Sequence, residues 1–473
     1  MRVAQFCQSS KFLAVTLLGL TLNACGGGGD NLTPQSKAFT ADGGVSSFYR
    51  WSDAIPATPG VLLQQEALAP AQVLPNASQG IRILYSSTDG DDGKTAIYVS
   101  GDLQLPKGTP PAGGWPLIAW AHGTVGVADV CAPSWTLRDA RDIDYLDAWL
   151  AQGYAVVSTD YQGLGTPGLH PYLHARPEAY SVLDSIRAVT KAFPQLSSSV
   201  VIVGQSQGAQ GALATAAYAP SYAPEIKLLG TVATGVPYQL QSVLAYLNAL
   251  TAQVPTSGFT SVLSTLEAYA WLGYATAERV VPNFLLSDHL TAKGKAFYSV
   301  VATQCLGPIE DYITQNKLVT ADVFNGDVTA WATQTLQSSN YPTVKFAAPI
   351  FVGTGTLDTD IPTVVQYQFA KDACAAGSTV EQHYYVGQDH DGTVLTALVD
   401  SKPFVQKLFE SAFGPRGHLL PWHAATALLA RPAADDASLA LRRSRWRWRY
   451  LPASSGRFAI VRRRPPGAPA DLR

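Results

Sequence analysis

Short aliphatic runs that end in glycine recur along the central part of the chain. They are WPLIAWAHG at 115–123, YAVVSTDYQG at 154–163, VVIVG at 200–204, LLGTVATG at 228–235 and APIFVGTG at 348–355. Between the runs, DYLDAWLAQG and AYSVLDSIRAVTKAFP have the apolar spacing of amphipathic helices. These strands are too apolar to have one face exposed to solvent, and they alternate with helices. Both features indicate a mainly parallel sheet covered by helices on both sides. The pattern therefore predicts an α/β fold.

An antiparallel hairpin precedes these strands, and a long helical segment interrupts them. In residues 80–106 apolar positions alternate on both sides of DGDDG, which is the pattern of two strands joined by a turn. About a hundred residues, 237–340, then separate two buried strands and carry helix-like stretches. Because this segment is too long for a loop in a compact domain, we expect a helical lid or cap inserted into the α/β core.

The N-terminus has the features of an export signal. Arg2 and Lys11 supply positive charge ahead of an apolar stretch, FLAVTLLGLTL, that is too short for a comfortable membrane span. It ends in LNAC, which resembles the bacterial lipobox, and in such signals the cysteine (here Cys25) becomes the lipidated N-terminus. We therefore expect an outer-membrane or cell-surface lipoprotein attached to the membrane through that lipid, with free secretion as the alternative.

These features divide the chain into six segments. They are a signal at 1–25, a tether and N-terminal arm at 26–75, the first part of the core at 76–236, the lid at 237–340, the second part of the core at 341–415 and an arginine-rich tail at 416–473. The tail contains no lysine. Two interpretations of it stay open: a segment that binds an anionic surface, and a non-native C-terminus.

Composition narrows the function classes. Apolar residues make up 47% of the 473 residues, charged residues only 14%, and the net charge is −2. These values indicate a folded globular protein and give no reason to expect a nucleic-acid partner. No CxxC or close His/Cys spacing occurs, so we predict neither a metal nor a cofactor. Beyond the signal stand Cys131, Cys305 and Cys374, and since export permits disulfides we expect one pair among them.

The sequence GQSQG at 204–208 raises the question of catalysis. It follows a buried strand and opens a helix-like segment, so Ser206 occupies the place of a nucleophile on a tight turn. An ordinary strand-to-helix turn with small residues for packing is the alternative. A reactive serine needs a histidine as base and an acid that orients the base, and in α/β-hydrolases the chain order is Ser, Asp or Glu, then His.

The acid and the base follow in that order. The strand APIFVGTG runs into a loop with Asp358 and Asp360, of which we favour Asp358. The strand-like VEQHYYVGQDHDG ends in a loop with His390, which we favour over His383 inside the strand pattern.

An oxyanion hole needs two backbone N–H groups. The first is expected from Gln207, at the positive end of the helix that follows Ser206. The second is expected from Thr124, after the strand-to-loop turn at His122 and Gly123. His122 itself is predicted to brace that loop.

Five motifs together resemble the secretory lipase family of α/β-hydrolases over residues 45–412. The motifs are AWAHGTVGVADVCAPS, LAQGYAVVSTDYQGLGTPGLHPYL, VGQSQGAQGAL, GTGTLDTDIP and VGQDH. The resemblance implies a helical lid before the strand that carries the acid, and a triad of Ser206, Asp358 and His390. It also implies a disulfide between Cys131 and Cys305, whereas the family's second bridge has no evident counterpart, which leaves Cys374 unpaired.

The predicted function is that of a serine carboxylic-ester hydrolase. It would cleave acyl esters or acylglycerols through an acyl-enzyme. Two alternatives stay open: a peptidase on the same fold, and a surface lipoprotein that binds a ligand without catalysis.

Overall fold

The computed structural model describes residues 3–6, 44–242 and 261–413. Cys25, residues 26–43 of the predicted tether and arm, residues 243–260 of the predicted lid, and the arginine-rich tail lie outside the described residues. Within the described ranges, no helix combines the length and the apolar character needed to cross a bilayer.

A sheet of ten strands forms the centre of the described chain. The strands are β1 (Val3–Phe6), β2 (Leu62–Ala67), β3 (Ala77–Thr88), β4 (Ala96–Pro106), β5 (Trp115–Ala121), β6 (Ala155–Thr159), β7 (Leu196–Gln205), β8 (Lys227–Thr234), β9 (Ile350–Gly355) and β10 (Val380–Tyr385). Their order is β1-β10-β9-β8-β7-β5-β6-β4-β3-β2. Neighbours from β10 to β6 pair in parallel, whereas β2, β3 and β4 form an antiparallel extension that joins β6. The mainly parallel sheet and the β3–β4 hairpin agree with the sequence pattern.

The strand β1 was not anticipated. It lies within the predicted export signal, yet it pairs antiparallel with β10. This pairing covers a strand edge that would otherwise present unpaired N–H and C=O groups.

The described residues contain twelve α-helices, and several of them cover the two faces of the sheet. They are α1 (Ala140–Leu150), α2 (Ala175–Ala192), α3 (Gln207–Tyr222), α4 (Ser261–Ala275), α5 (Ala277–Val280), α6 (Leu286–His289), α7 (Ala292–Val301), α8 (Leu306–Asn316), α9 (Thr320–Val323), α10 (Thr329–Gln337), α11 (Thr363–Ala375) and α12 (His390–Phe413). Alternate residues of β7 point to opposite faces: Val200 and Ile202 pack with α2, while Val201 and Val203 pack with α1 and α12. Both faces of the central strands are therefore buried, as the continuous aliphatic runs predict.

The described part of the segment between β8 and β9 is mainly helical, from α4 to α10. We call residues 261–337 the helical insertion. In its apolar cluster Trp271 of α4 stacks on Phe324 at a centroid distance of 4.4 Å and meets Phe297 edge-on. The same cluster includes Val127, Leu169 and Tyr172 from loops of the α/β core, so the insertion is packed onto that core rather than loosely connected.

Candidate active site

Ser206 lies between the end of β7 and the start of α3, with φ 57° and ψ −123°. A positive φ is uncommon for a residue with a side chain and is held only where the surroundings dictate it. One restraint is a hydrogen bond of 2.9 Å from the Ser206 N–H to the carbonyl oxygen of Thr234 on β8. The serine is only 5% exposed.

Two glycines allow this turn. A Cβ on Gly204 would lie 2.0 Å from the carbonyl oxygen of Gly208, and a Cβ on Gly208 would lie 1.9 Å from that of Ala121 at the end of β5. Both distances are far inside van der Waals contact, and the clashing atoms are backbone. The backbones of β5, β7 and α3 therefore meet at a point where only glycine fits.

Asp358 and His390 are in direct contact. Asp358 follows β9 and His390 begins α12, so both lie at the carboxyl ends of parallel strands, as Ser206 does. The His390 Nδ1 nitrogen lies 2.9 Å from Oδ2 of Asp358. Within the described residues the other ring nitrogen, Nε2, is buried and has no hydrogen-bond partner. An unpartnered Nε2 is available for a group that enters the site.

The structure separates Asp358 from the alternative acid. Asp358 is buried, and its carboxylate accepts hydrogen bonds from the N–H groups of Asp360 and Ile361 and from the side chain of Gln366. Asp360 instead accepts a hydrogen bond of 3.0 Å from the Tyr269 hydroxyl in the helical insertion.

The alternative base also lies elsewhere. His383 is on β10, stacked on Phe351 and 2.8 Å from Glu381. The geometry thus pairs Asp358 with His390.

Charge around His390 raises its pKa. Burial acts in the opposite direction, but the hydrogen bond and the negative charge of Asp358 outweigh it, and Asp360 and Asp391 add to the rise. The pKa of His390 therefore lies above its usual value, and Asp358 is the main cause.

Gly235, directly after β8, gives the His390 ring its space. Its φ is +64°, and a Cβ there would lie 2.6 Å from Cε1 of the ring. Any larger residue would meet both an unfavourable backbone conformation and a steric clash.

One cavity of about 380 Å³ joins these groups. Its described lining consists of Thr124, Asp139, Arg141, Gln205, Ser206, Tyr269, Leu306, Glu310, Asp360, His390 and Asp391. The cavity lies where the sheet's carboxyl edge meets the helical insertion, which contributes Tyr269, Leu306 and Glu310. Four of the lining side chains are carboxylic acids and one is a guanidinium, so the described wall is strongly polar.

The two residues expected to donate N–H groups to the oxyanion lie on different elements: Thr124 on the loop after β5 and Gln207 at the start of α3. Thr124 lines the cavity, and its hydroxyl lies 2.8 Å from that of Tyr172. Gln207 is the first residue of α3, where a backbone N–H has no carbonyl partner inside the helix. His122 is buried, with ring nitrogens 2.7 Å from the Gly123 carbonyl and 3.3 Å from that of Asp160, and burial lowers its pKa to about 4.

Sequence reasoning missed a buried polar group beneath Gln207. His170, from the segment between β6 and α2, and Glu178, in the first turn of α2, both contact the Gln207 side chain. GLGTPGLHPYL was noted as a family motif, but nothing in its spacing indicated which buried group its histidine would meet.

A disulfide ties the cavity wall to the helical insertion. It joins Cys131, on the loop after β5, to Cys305 directly before α8. Gly126 of the same loop forms a β-bridge with Cys305. The implied Cys131–Cys305 bridge is present. Cys374 is also disulfide-bonded, so the expectation that it stays unpaired is wrong. That expectation considered only the cysteines after residue 25.

Comparison with known proteins decides the family. The model of the secretory lipase family matches residues 131–402, which is more than half of the chain. The chain belongs to the secretory lipase family. The fold class and the resemblance drawn from the five motifs are thereby confirmed.

Individual relatives of this family member are distant. Lipase A of Moesziomyces aphidis is 24% identical over 297 residues, which are 59% of this chain and 62% of the relative. A secreted triacylglycerol lipase of Malassezia furfur is 25% identical over 55% of this chain and 53% of its own length. The match thus spans between half and two thirds of these relatives. Among solved structures, Candida antarctica lipase A in its closed state superposes on this chain with a TM-score of 0.59 at 21% identity. The superposition covers 77% of this chain and 86% of that one, which shows a shared fold.

Proposed function

We propose that the protein is a serine carboxylic-ester hydrolase that cleaves acyl esters or acylglycerols. The observation that carries the proposal is the buried His390, fixed by Asp358 on one ring nitrogen and unpartnered on the other, in the same cavity as Ser206. A base that is oriented on one side and open on the other is the arrangement that activates a serine. Membership of the secretory lipase family supports ester substrates.

In the proposed mechanism His390 takes the proton of Ser206 as the serine oxygen attacks the ester carbonyl. Asp358 holds the Nδ1–H tautomer and stabilises the positive ring that forms. The N–H groups of Gln207 and Thr124 receive the developing oxyanion. His390 then returns the proton to the leaving alcohol, and water activated by the same histidine releases the acid from the acyl-enzyme.

A serine-directed probe tests this proposal. A fluorophosphonate should label the purified protein at Ser206, and Ser206→Ala should lose both the label and about 10⁴-fold or more of its kcat on p-nitrophenyl butyrate. Ser221→Ala, on a serine near the exposed end of α3, is the matched control and should keep full activity. Ester turnover in Ser206→Ala within tenfold of the parent would reject the nucleophile.

We also propose that the protein is exported and lipidated at Cys25, a processing step that would remove residues 1–24 and with them β1, so that the sheet of the mature protein would end at β10. The LNAC sequence and the family's secretory character support this. Growth of a bacterial expression strain with labelled palmitate should label the protein, and Cys25→Ser should abolish the label. A protein that leaves the cells without label would instead be freely secreted.

A further inference from the structure

The side chain of Gln207 is held by two buried acceptors. Its Nε2 lies 2.7 Å from Nε2 of His170 and 2.9 Å from Oε1 of Glu178. All three residues are at most 1% exposed. Both hydrogens of the carboxamide NH₂ group therefore have a partner that water cannot replace.

The contacts of His170 decide its tautomer. Its Nδ1 lies 2.9 Å from the carbonyl oxygen of Gln162, and since a carbonyl only accepts, Nδ1 carries the hydrogen. Nε2 is then the acceptor that the Gln207 NH₂ group requires. Burial lowers the pKa of His170 to about 3, so this neutral tautomer persists across the working range of an enzyme.

Glu178 is held in a matching way. Its Oε1 accepts from Gln207 and also from the N–H of Leu173, at 3.1 Å. Burial raises its pKa well above the usual value, although both hydrogen bonds act against the rise. Burial therefore favours the protonated form of this side chain more than it would for an exposed glutamate.

We propose that His170 and Glu178 are positioning residues that fix Gln207 and, through it, the backbone N–H next to Ser206. The inference rests on the proposed function, in which that N–H receives the oxyanion. The turn is already restrained by the Ser206 N–H bond to Thr234 and by the close backbone contacts at Gly204 and Gly208. The two bonds to the Gln207 side chain add a restraint on the C-terminal side of Ser206, whose positive φ places strain on this backbone.

Substitution of Glu178 tests the anchor. Glu178→Ala removes one acceptor and should lower kcat on p-nitrophenyl butyrate about 10- to 100-fold, less than the loss of a whole oxyanion donor, with KM changed less than about threefold. Glu178→Gln keeps a neutral acceptor of the same shape and should restore kcat to within about threefold of the parent. A structural role alone would give no such kcat-specific loss.

A double-mutant cycle shows whether Glu178 acts through Gln207. Gln207→Met keeps the backbone N–H but removes the contacts with both His170 and Glu178, and it should lower kcat at least as much as Glu178→Ala. The double variant should then lose no more than Gln207→Met, because that change already breaks the contact with Glu178. Additive losses in kcat would overturn the proposal. If Glu178→Ala does not fold, Gln207→Met alone decides: an unchanged kcat in the folded variant would also overturn it.

Measurements on the parent protein distinguish a failure of this inference from a failure of the proposed function. A parent that neither turns over p-nitrophenyl butyrate nor reacts with a fluorophosphonate overturns both proposals. An active parent whose Glu178→Ala and Gln207→Met variants keep its kcat overturns only the positioning role.

Discussion

The Nδ1 nitrogen of His390 lies 2.9 Å from Oδ2 of Asp358, although 31 residues, including the whole of β10, separate the two positions in the chain. Parallel strands β9 and β10 bring them together, because both residues follow the carboxyl end of a strand. Asp360, only two positions from Asp358, turns to Tyr269 instead.

This difference predicts unequal effects of two similar substitutions. Asp358→Asn should lower kcat about 10⁴-fold, because an amide no longer holds the Nδ1–H tautomer. Asp360→Asn should stay within about tenfold of the parent. Steady-state kinetics on p-nitrophenyl butyrate measure both, and a larger loss in Asp360→Asn would exchange the roles of the two acids.

The pH dependence of kcat/KM should report the raised pKa of His390. A general base works only when neutral, so activity should fall as the pH drops through a pKa above about 6.5, the usual value for histidine. Asp391→Asn removes one negative charge that supports the rise, and the acid limb should move down by roughly a few tenths of a pH unit. Asp288→Asn, on the exposed surface of α6, is the control and should leave the limb in place. An acid limb below pH 6 in the parent would contradict the charge arrangement.

Gly235 should be intolerant of even one methyl group. Gly235→Ala places a Cβ 2.6 Å from Cε1 of His390 at φ +64°, so we expect a loss in kcat of at least about tenfold together with a lower Tm. Gly377→Ala is the matched control, because its φ is +93° but nothing lies within 4 Å of the new Cβ. The control should lower Tm by strain alone and keep kcat. Equal kinetics in the two variants would show that the His390 ring does not depend on Gly235.

The bridge between Cys131 and Cys305 should stabilise the folded chain. The two cysteines are 174 residues apart, and cross-links over long loops remove much entropy from the unfolded state. The double variant Cys131→Ser with Cys305→Ser should lose about 2–5 kcal/mol of unfolding free energy, measured by urea denaturation. A reductant should lower the stability of the parent more than that of this variant. An equal reductant effect in both would assign the stabilisation to the disulfide of Cys374.

The charge of the cavity predicts a selectivity. Asp139, Glu310, Asp360 and Asp391 face Arg141 as the one cationic side chain of the described lining, apart from the titratable His390. A monoethyl succinate anion should therefore be a poorer substrate than ethyl butyrate, which has a similar length and no charge, by about tenfold or more in kcat/KM. The gap should narrow at high salt, since screening weakens the repulsion. A salt-independent gap would point to shape rather than charge.

The sequence predicted the core well because each central strand is a continuous aliphatic run bounded by glycine. Position at a strand end was enough to nominate Ser206, His390 and the loop with Asp358. Choosing between Asp358 and Asp360 required the hydrogen bonds of that loop, which no periodicity encodes. The contacts of His170 and Glu178 could not be predicted for a similar reason: they depend on how α2 and the segment before it pack against α3. The catalytic roles of Ser206, Asp358 and His390 are proposals that the variants above test.

The GQSQG sequence meets two different requirements, one of folding and one of chemistry. The close backbone contacts among Gly204, Gly208 and Ala121 show which of its residues folding requires. The glycines are demanded by the assembly of the sheet and α3, whereas the serine is demanded only by the proposed chemistry. In a lineage that abandoned catalysis, position 206 would be released to drift, while 204 and 208 would stay glycine as long as the protein folded. Glycines at these two places therefore reflect the shape of the turn, whereas Ser206 and, in its proposed role, Gln207 reflect the reaction.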